Sequence, residues 1–206
     1  MHLAILGASG HGKVIADAAE QLGWHSVTFF DDAWHPPEVN GPWEVRGDTK
    51  ALLEKLSAFN GVVVGIGSNR IRAEKQAVLA KAGGNLVSIV HPSAVVSPYA
   101  SIGAGSVVFA NAVVNPCSMI GIGAIVNTGA VVEHDCVIGD FAHISPNAVL
   151  AGGAALGDEV WIGACASVRQ MITIGRASIV GMGAVVTKDV GSDVTVVGSP
   201  ARIRSS

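Results

Sequence analysis

Aromatic residues make up only 5% of the 206-residue chain, although half of it is hydrophobic. The apolar mass is therefore Val, Ile, Leu and Ala, which suits packed sheet better than an aromatic core. Positive charge is sparse too. Thirteen Lys and Arg face 16 Asp and Glu, the formal charge is −3, and no basic stripe runs along the chain. That balance argues against a partner that is nucleic acid or an anionic membrane. No apolar run approaches the roughly 18 residues of a membrane span. Met1 to Gly7 runs straight into a strand-like segment with neither the basic n-region nor the h-region of a signal peptide. A cytoplasmic protein is the expectation. Cys117, Cys136 and Cys165 form no CxxC and leave an odd count. They read as small buried residues in a reducing compartment.

Glycine, in contrast, is abundant at 26 residues, so backbone turns must recur. They recur in two different grammars. Residues 1–90 alternate strand and helix signals. His2 to Leu6, Ser26 to Phe30 and Gly61 to Ile66 read as strands. Lys13 to Leu22, Asp48 to Phe59 (capped by Asp48) and Arg70 to Ala82 read as helices. Gly7 to Gly12 is a turn and Trp34 to Trp43, with three prolines, a loop. Strands alternating with helices predict a parallel sheet, here a small Rossmann-like α/β domain.

Residues 91–206 follow a six-residue period. An aliphatic residue recurs at every sixth position from Val96, Ile102 and Val108 through Ile138 and Ile144 to Val180 and Val186, with no member missing. Small residues such as Ala100, Ser106, Ala112, Ala124, Ala130, Cys136, Ala142, Ala148 and Ala184 stand two places earlier. This period marks a parallel β-helix with three short strands per 18-residue coil. On one corner the residue after the aliphatic is always glycine: Gly103, Gly121, Gly139, Gly157 and Gly175. A positive φ there is the expected reason. On another corner the equivalents are Ser97, Asn115, Glu133, Ala151, Arg169 and Thr187, and no backbone demand explains the choice.

Chemistry gathers at four places. Glu133-His134-Asp135 lies on the irregular corner. Histidine suits a general base near neutral pH, and a neighbouring carboxylate can orient its ring. Glu133 and Asp135 compete for that role, because alternate strand residues share a face. His143 follows half a coil later, either as a contact to a thioester or as a hydrogen-bonded structural residue. Gly7-Ala8-Ser9-Gly10-His11-Gly12-Lys13 is a glycine-rich turn at a helix start, which favours phosphate over a merely packed turn. Val14 stands where a Walker motif needs Ser or Thr for Mg²⁺, and GxGxxG is not matched, so a diphosphate-linked ligand fits better than ATP or NAD. Asp31-Asp32, about twenty residues on, is placed to reach a ribose or base. Gly65 to Arg70 follows the third strand at the same edge.

Taken together, GASGHGK, FDD, GIGSNRIR, HPSAVVSP, VNTGAVVEHDC and HISPNAVLAGG resemble the bacterial sugar-nucleotide acetyltransferases of hexapeptide-repeat type. That family includes the bacillosamine-pathway and perosamine N-acetyltransferases and the sialic-acid O-acetyltransferase-type proteins. The resemblance implies a left-handed β-helix and a homotrimer with sites between neighbouring β-helices. It implies His134 as the base, tuned by Glu133 or Asp135, and direct attack on the thioester with no acyl-enzyme. Acetyl-CoA would lie near His143, Gly152, Ala164, Gly181 and Met182. The sugar nucleotide would use Ser9, Gly10, His11, Asp31 and Asp32, with its sugar reaching Asn127 and the His134 of an adjacent subunit.

The Asp31-Asp32 pair suits uracil and ribose in such proteins, so a UDP-linked 4-amino-4,6-dideoxy sugar leads. A GDP-linked amino sugar, an O-acetyl acceptor and a non-catalytic sugar-nucleotide sensor are the alternatives. A zinc carbonic anhydrase on the same fold would need three histidines. His134 and His143 supply two and His91 lies before the coils, so no metal is expected.

Overall fold

The computed structural model describes residues 1–33 and 38–204, and the chain divides into two compact units, Met1–Pro92 and Ser93–Ser206. The first unit is a five-stranded sheet. In chain order it contains β1 (His2–Leu6), α1 (Gly10–Gln21), β2 (Ser26–Phe30), β3 (Val39–Asn40), β4 (Trp43–Val45), α2 (Thr49–Glu54), β5 (Gly61–Val64) and α3 (Asn69–Lys81). The strand order is β3-β4-β2-β1-β5, parallel except for the β3–β4 pair.

Alternation along the strands sorts the packing. Ala4, Leu6, Phe30, Val62 and Val64 meet Leu52 of α2 and Leu79 of α3 in one buried cluster. Phe29 points to the other face, where α1 packs so tightly that a Cβ on Gly12 would stand 2.8 Å from the Phe29 ring. Asp48 caps α2 by accepting a hydrogen bond from the Ala51 N–H at 2.8 Å.

Two local expectations change. Gly10, His11 and Gly12 belong to the first turn of α1 rather than to the preceding turn. Of the expected loop from Trp34 to Trp43, residues 34–37 lie outside the described residues, and Val39–Asn40 pairs with Trp43 in a short hairpin.

The second unit is the β-helix. Its sixteen two-residue strands run from Val95–Val96 to Val185–Val186, and each ends on one of the sixteen periodic aliphatics. Successive strands belong in turn to a first, second and third sheet, so every coil contributes one strand to each face. Residues 18 apart are in register, as in Val131↔Val149 and Ile125↔His143. At about 4.8 Å per coil, five coils stack to on the order of 24 Å. Aliphatics such as Val132, Ile144 and Ile162 are fully buried, together with Ala130, Cys136 and Ala142. Branched side chains fill the prism only because those small residues share each layer. The third sheet is extended by Thr195–Val197, against which Arg202–Ile203 runs antiparallel.

The corners overturn the glycine expectation. Gly103, Gly121, Gly139, Gly157 and Gly175 do not have positive φ. Their constraint is space: a Cβ on Gly139 would stand 2.5 Å from the Asp158 nitrogen of the next coil, and one on Gly103 2.5 Å from the Gly121 carbonyl. Positive φ falls instead three residues after fourteen of the sixteen aliphatics, at Gly105, Asn111, Cys117, Gly123, Gly129, Asp135, Phe141, Asn147, Gly153, Glu159, Cys165, Met171, Ala177 and Gly183. This also corrects the cysteines. Cys136 is buried, but Cys117 and Cys165 are exposed on these turns.

Candidate active site

His134 and Asp135 stand on the corner between the first and second faces, after the Val131–Val132 strand. His134 Nδ1 lies 2.7 Å from Oδ2 of Asp135. A carboxylate can only accept, so Nδ1 carries a proton, and in the neutral ring Nε2 is then the nitrogen with the lone pair. The imidazole is 63% exposed, so that lone pair is open to a substrate. The alternation argument for the two acids does not hold, because residues 133–135 have left the strand and Asp135 has a φ of 60°. Glu133 turns to its own column, where Oε2 accepts from Asn115 Nδ2 at 3.0 Å. Gly152 lies one coil above His134. A Cβ there would stand 2.6 Å from both Cε1 and Nε2 of the ring. Within one chain Gly152 therefore lies beside His134 and not in the groove of the other residues expected to hold acetyl-CoA.

Those others converge. His143, Ala164, Gly181 and Met182 line one groove of about 450 Å³, with Ser145, Trp161 and Ile179. His143 is 8% exposed and stacks on Trp161, with ring centroids 5.2 Å apart and planes 18° from parallel. Trp161 Nε1 donates to Ser145 Oγ at 2.9 Å. Asn127 Oδ1 accepts from the Thr128 N–H at 2.8 Å, which orients its Nδ2 toward His143 Nε2 at 3.1 Å. Asn127 is thus joined to His143 at the corner between the third and first faces. Within one chain it is not brought to His134, which occupies a different corner. Trp161 was not singled out from the sequence, although its place eighteen residues after His143 and one before an inward Ile162 was a usable signal.

In the N-terminal unit, Ser9, Asp31 and Asp32 share a cavity of about 300 Å³ with Gly7, Ile66, Gly67 and Lys75. Ser9 precedes α1 without a capping side-chain hydrogen bond, so the orphan amides of the first turn are open to an anion. Gly10 and His11 lie in that turn but do not line the cavity. Burial, and then the positive charge of Arg72, lower the His11 pKa to about 4. Asp31 accepts from the amides of Ala8 at 2.6 Å and Ala33 at 2.8 Å, bracing the turn. Asp32 is paired with Lys75 and accepts from the Thr49 N–H and hydroxyl. Partial burial pushes its pKa up, but these bonds prevail and hold it at about 2. Lys75 was missed, because a lysine on α3, 43 residues from Asp32, has no local signal.

Among the described residues no group of three His, Cys, Asp or Glu could hold a metal ion, and no helix is long and apolar enough to cross a membrane.

A coiled hexapeptide scaffold with an exposed His–Asp corner, an apolar groove and a phosphate-type turn on a separate α/β unit defines a left-handed β-helix transferase. Comparison with known proteins narrows this. Residues 2–79 match the family model described as PglD N-terminal domain. The acetyltransferase domain of PglB from Neisseria gonorrhoeae, solved with acetyl coenzyme A, is 44% identical, with 98% of each chain covered and a TM-score of 0.93. A mutant of perosamine N-acetyltransferase from Caulobacter crescentus, solved with CoA and GDP-perosamine, is 36% identical over 100% of this chain and 98% of that one, with a TM-score of 0.96. UDP-N-acetylbacillosamine N-acetyltransferase of Bacillus subtilis is 36% identical over 108 residues, about half of each chain. The chain belongs to this family of hexapeptide-repeat sugar N-acetyltransferases.

Proposed function

We propose that the protein moves the acetyl group of acetyl-CoA to the 4-amino group of a nucleotide-linked 4-amino-4,6-dideoxy sugar, UDP-linked by preference, on the way to a surface glycan. The observation that carries this is the His134–Asp135 pair at 2.7 Å on an exposed corner. The sugar amine attacks the thioester carbonyl, Nε2 of His134 takes its proton, and collapse of the tetrahedral intermediate breaks the C–S bond, the departing sulfur receiving that proton to leave as CoA thiol. Asp135 holds the ring in the tautomer that makes Nε2 the acceptor. The thioester arm lies in the groove of His143, Trp161, Ala164, Gly181 and Met182. The diphosphate lies at the start of α1, beside Ser9 and the cavity of Asp31 and Asp32. No metal takes part, and the reaction runs in the cytoplasm.

The site is completed by a second copy. His134 and the groove occupy different corners of one β-helix, so a neighbour must present its groove to His134. The faces flanking the His134 corner are apolar outward: Val95 and Met119 are 63% and 53% exposed, and Val113, Val131, Val149 and Val137 continue the two stripes. Patches of this kind mark interfaces, and a homotrimer buries both. Light scattering should give three times the chain mass.

A GDP-linked amino sugar is the second reading. It is favoured by the similarity to the perosamine enzyme, solved with GDP-perosamine, and by the prior engagement of both Asp31 and Asp32 with protein donors. Free-thiol release from acetyl-CoA against a panel of UDP- and GDP-linked 4-amino sugars separates the two. Turnover on one class names the nucleotide. Silence across the panel, with acetyl-CoA still bound, overturns N-acetylation in favour of an O-acetyl acceptor. His134→Ala should keep trimer and ligand binding and lose about 10²-fold or more in rate. Near-normal turnover in that variant removes His134 from the mechanism.

A further inference from the structure

One wall of the nucleotide cavity is fixed by a buried cation that the proposed chemistry does not use. Arg72 of α3 is only 1% exposed. Its guanidinium donates to the carbonyls of Ile66 and Gly67 at 3.0 and 3.1 Å, and to Asn69 Oδ1 at 2.9 Å. Ile66 and Gly67 line the cavity of Ser9 and Asp32. The same segment lies hard against the glycine turn. A Cβ on Gly7 would stand 2.8 Å from the Gly65 carbonyl and 2.8 Å from Ile66 Cγ1. The two loops are therefore in backbone contact, and a shift of one displaces the other.

We infer that Arg72 is a positioning residue for the diphosphate of the nucleotide sugar. It turns the carbonyls of Ile66 and Gly67 inward, toward the guanidinium, and so keeps two negative dipole ends off an incoming anion. The cleft between residues 65–67 and the first amides of α1 is thereby set to one width. A guanidinium suits this because its rigid fork serves several acceptors at once, whereas an ammonium is a single point donor. The burial matters as well. A side chain at 1% exposure is locked in its geometry, so the loop is arranged before the ligand arrives. The inference rests on the nucleotide-sugar reading above.

The test uses the full chain with Arg72→Lys, Arg72→Gln and the milder Asn69→Ala, each checked by thermal melting. Both KM values and kcat are measured with the nucleotide sugar that the wild type turns over. Arg72→Lys and Arg72→Gln should raise the nucleotide-sugar KM about 10-fold or more, while the acetyl-CoA KM and kcat stay within about 3-fold. Lysine should not restore the KM. Asn69→Ala should shift the same constant, and only it, by less. An unchanged nucleotide-sugar KM in a folded Arg72 variant overturns the inference. So does a parallel rise of both KM values, which is what a general loss of structure produces. If the Arg72 variants do not fold, an unchanged KM in Asn69→Ala overturns it. Calorimetry keeps the two levels apart. Wild-type protein that binds neither UDP- nor GDP-linked sugar sinks the nucleotide-sugar reading and this inference together. Wild-type binding that the variants match removes Arg72 alone.

Discussion

Gly152→Ala is the sharpest test of the His134 corner, because it adds one methyl group where the ring stands. The new Cβ would lie 2.6 Å from Cε1 and Nε2, whereas ordinary contacts begin at 3.4 Å, so the ring must retreat by about 0.8 Å. The backbone has no reason to move in its place. Gly152 does not have the positive φ of its neighbour Gly153, so alanine is conformationally acceptable there. The imidazole is exposed and can swing outward, which relieves the overlap but carries Nε2 off its line to the amine. A displacement near 1 Å costs on the order of 10²-fold in rate. Thiol release at saturating substrates should therefore fall by about that factor, with the melting temperature almost unchanged and acetyl-CoA still bound. A Gly152→Ala enzyme within about 3-fold of wild-type kcat would refute the placement of His134 as base.

Further predictions concern the neighbouring acids, the fold and pH. Asp135→Asn keeps a residue that tolerates the left-handed turn but leaves Nδ1 without its carboxylate, so kcat should fall at least about 10-fold; Glu133→Gln should stay within about 3-fold, because Glu133 serves Asn115, and the reverse order would reassign the acid. Gly139→Ala drives a methyl into the backbone of the next coil, 2.5 Å from the Asp158 nitrogen, and should cost about 1–3 kcal/mol by denaturant melt. His11 has a folded pKa of about 4 against 6.5 unfolded, so between those values the unfolded chain binds more protons. Stability should therefore decline as pH falls from about 6.5 to 4, and His11→Gln should flatten that decline. A slope unchanged in that variant would place the titration elsewhere.

Legibility from sequence followed the spacing of the cause. The six-residue register was readable residue by residue, because each coil repeats one packing demand: an aliphatic inside, and a small residue two places before it. The corner glycines were read as positive-φ residues, since a sequence shows glycine but not whether conformation or crowding selects it. In Gly139 the reason is a nitrogen nineteen residues away. His134 was singled out because it stands between two acids on the corner whose column follows no backbone rule. The choice between Glu133 and Asp135 was not legible, because it turns on Asn115 one coil below and on the φ of Asp135. Lys75 and Trp161 act through partners far along the chain or on another coil, Arg72 acts through nearby carbonyls whose direction a sequence does not show, and side chains of those types are common in helices and strands that bind nothing. Asp31 lines the expected cavity, but its carboxylate is already engaged by two amides and braces the turn before α1.

The left-handed corners carry a consequence for anyone redesigning this scaffold. Fourteen successive turns each force one residue into a conformation that glycine and asparagine accept most easily, and nine of those places hold something else or asparagine. Cys117, Phe141, Glu159, Cys165, Met171 and Ala177 each sit where an ordinary L-residue is disfavoured by roughly 1–2 kcal/mol. A stabilising programme that wrote glycine or asparagine into every corner would harvest those increments one by one and arrive, by the same rule, at position 135. There it would erase the carboxylate that aims His134. The repeat thus contains its own trap for consensus engineering: a corner like all the others by backbone is the one whose side chain the proposed chemistry needs.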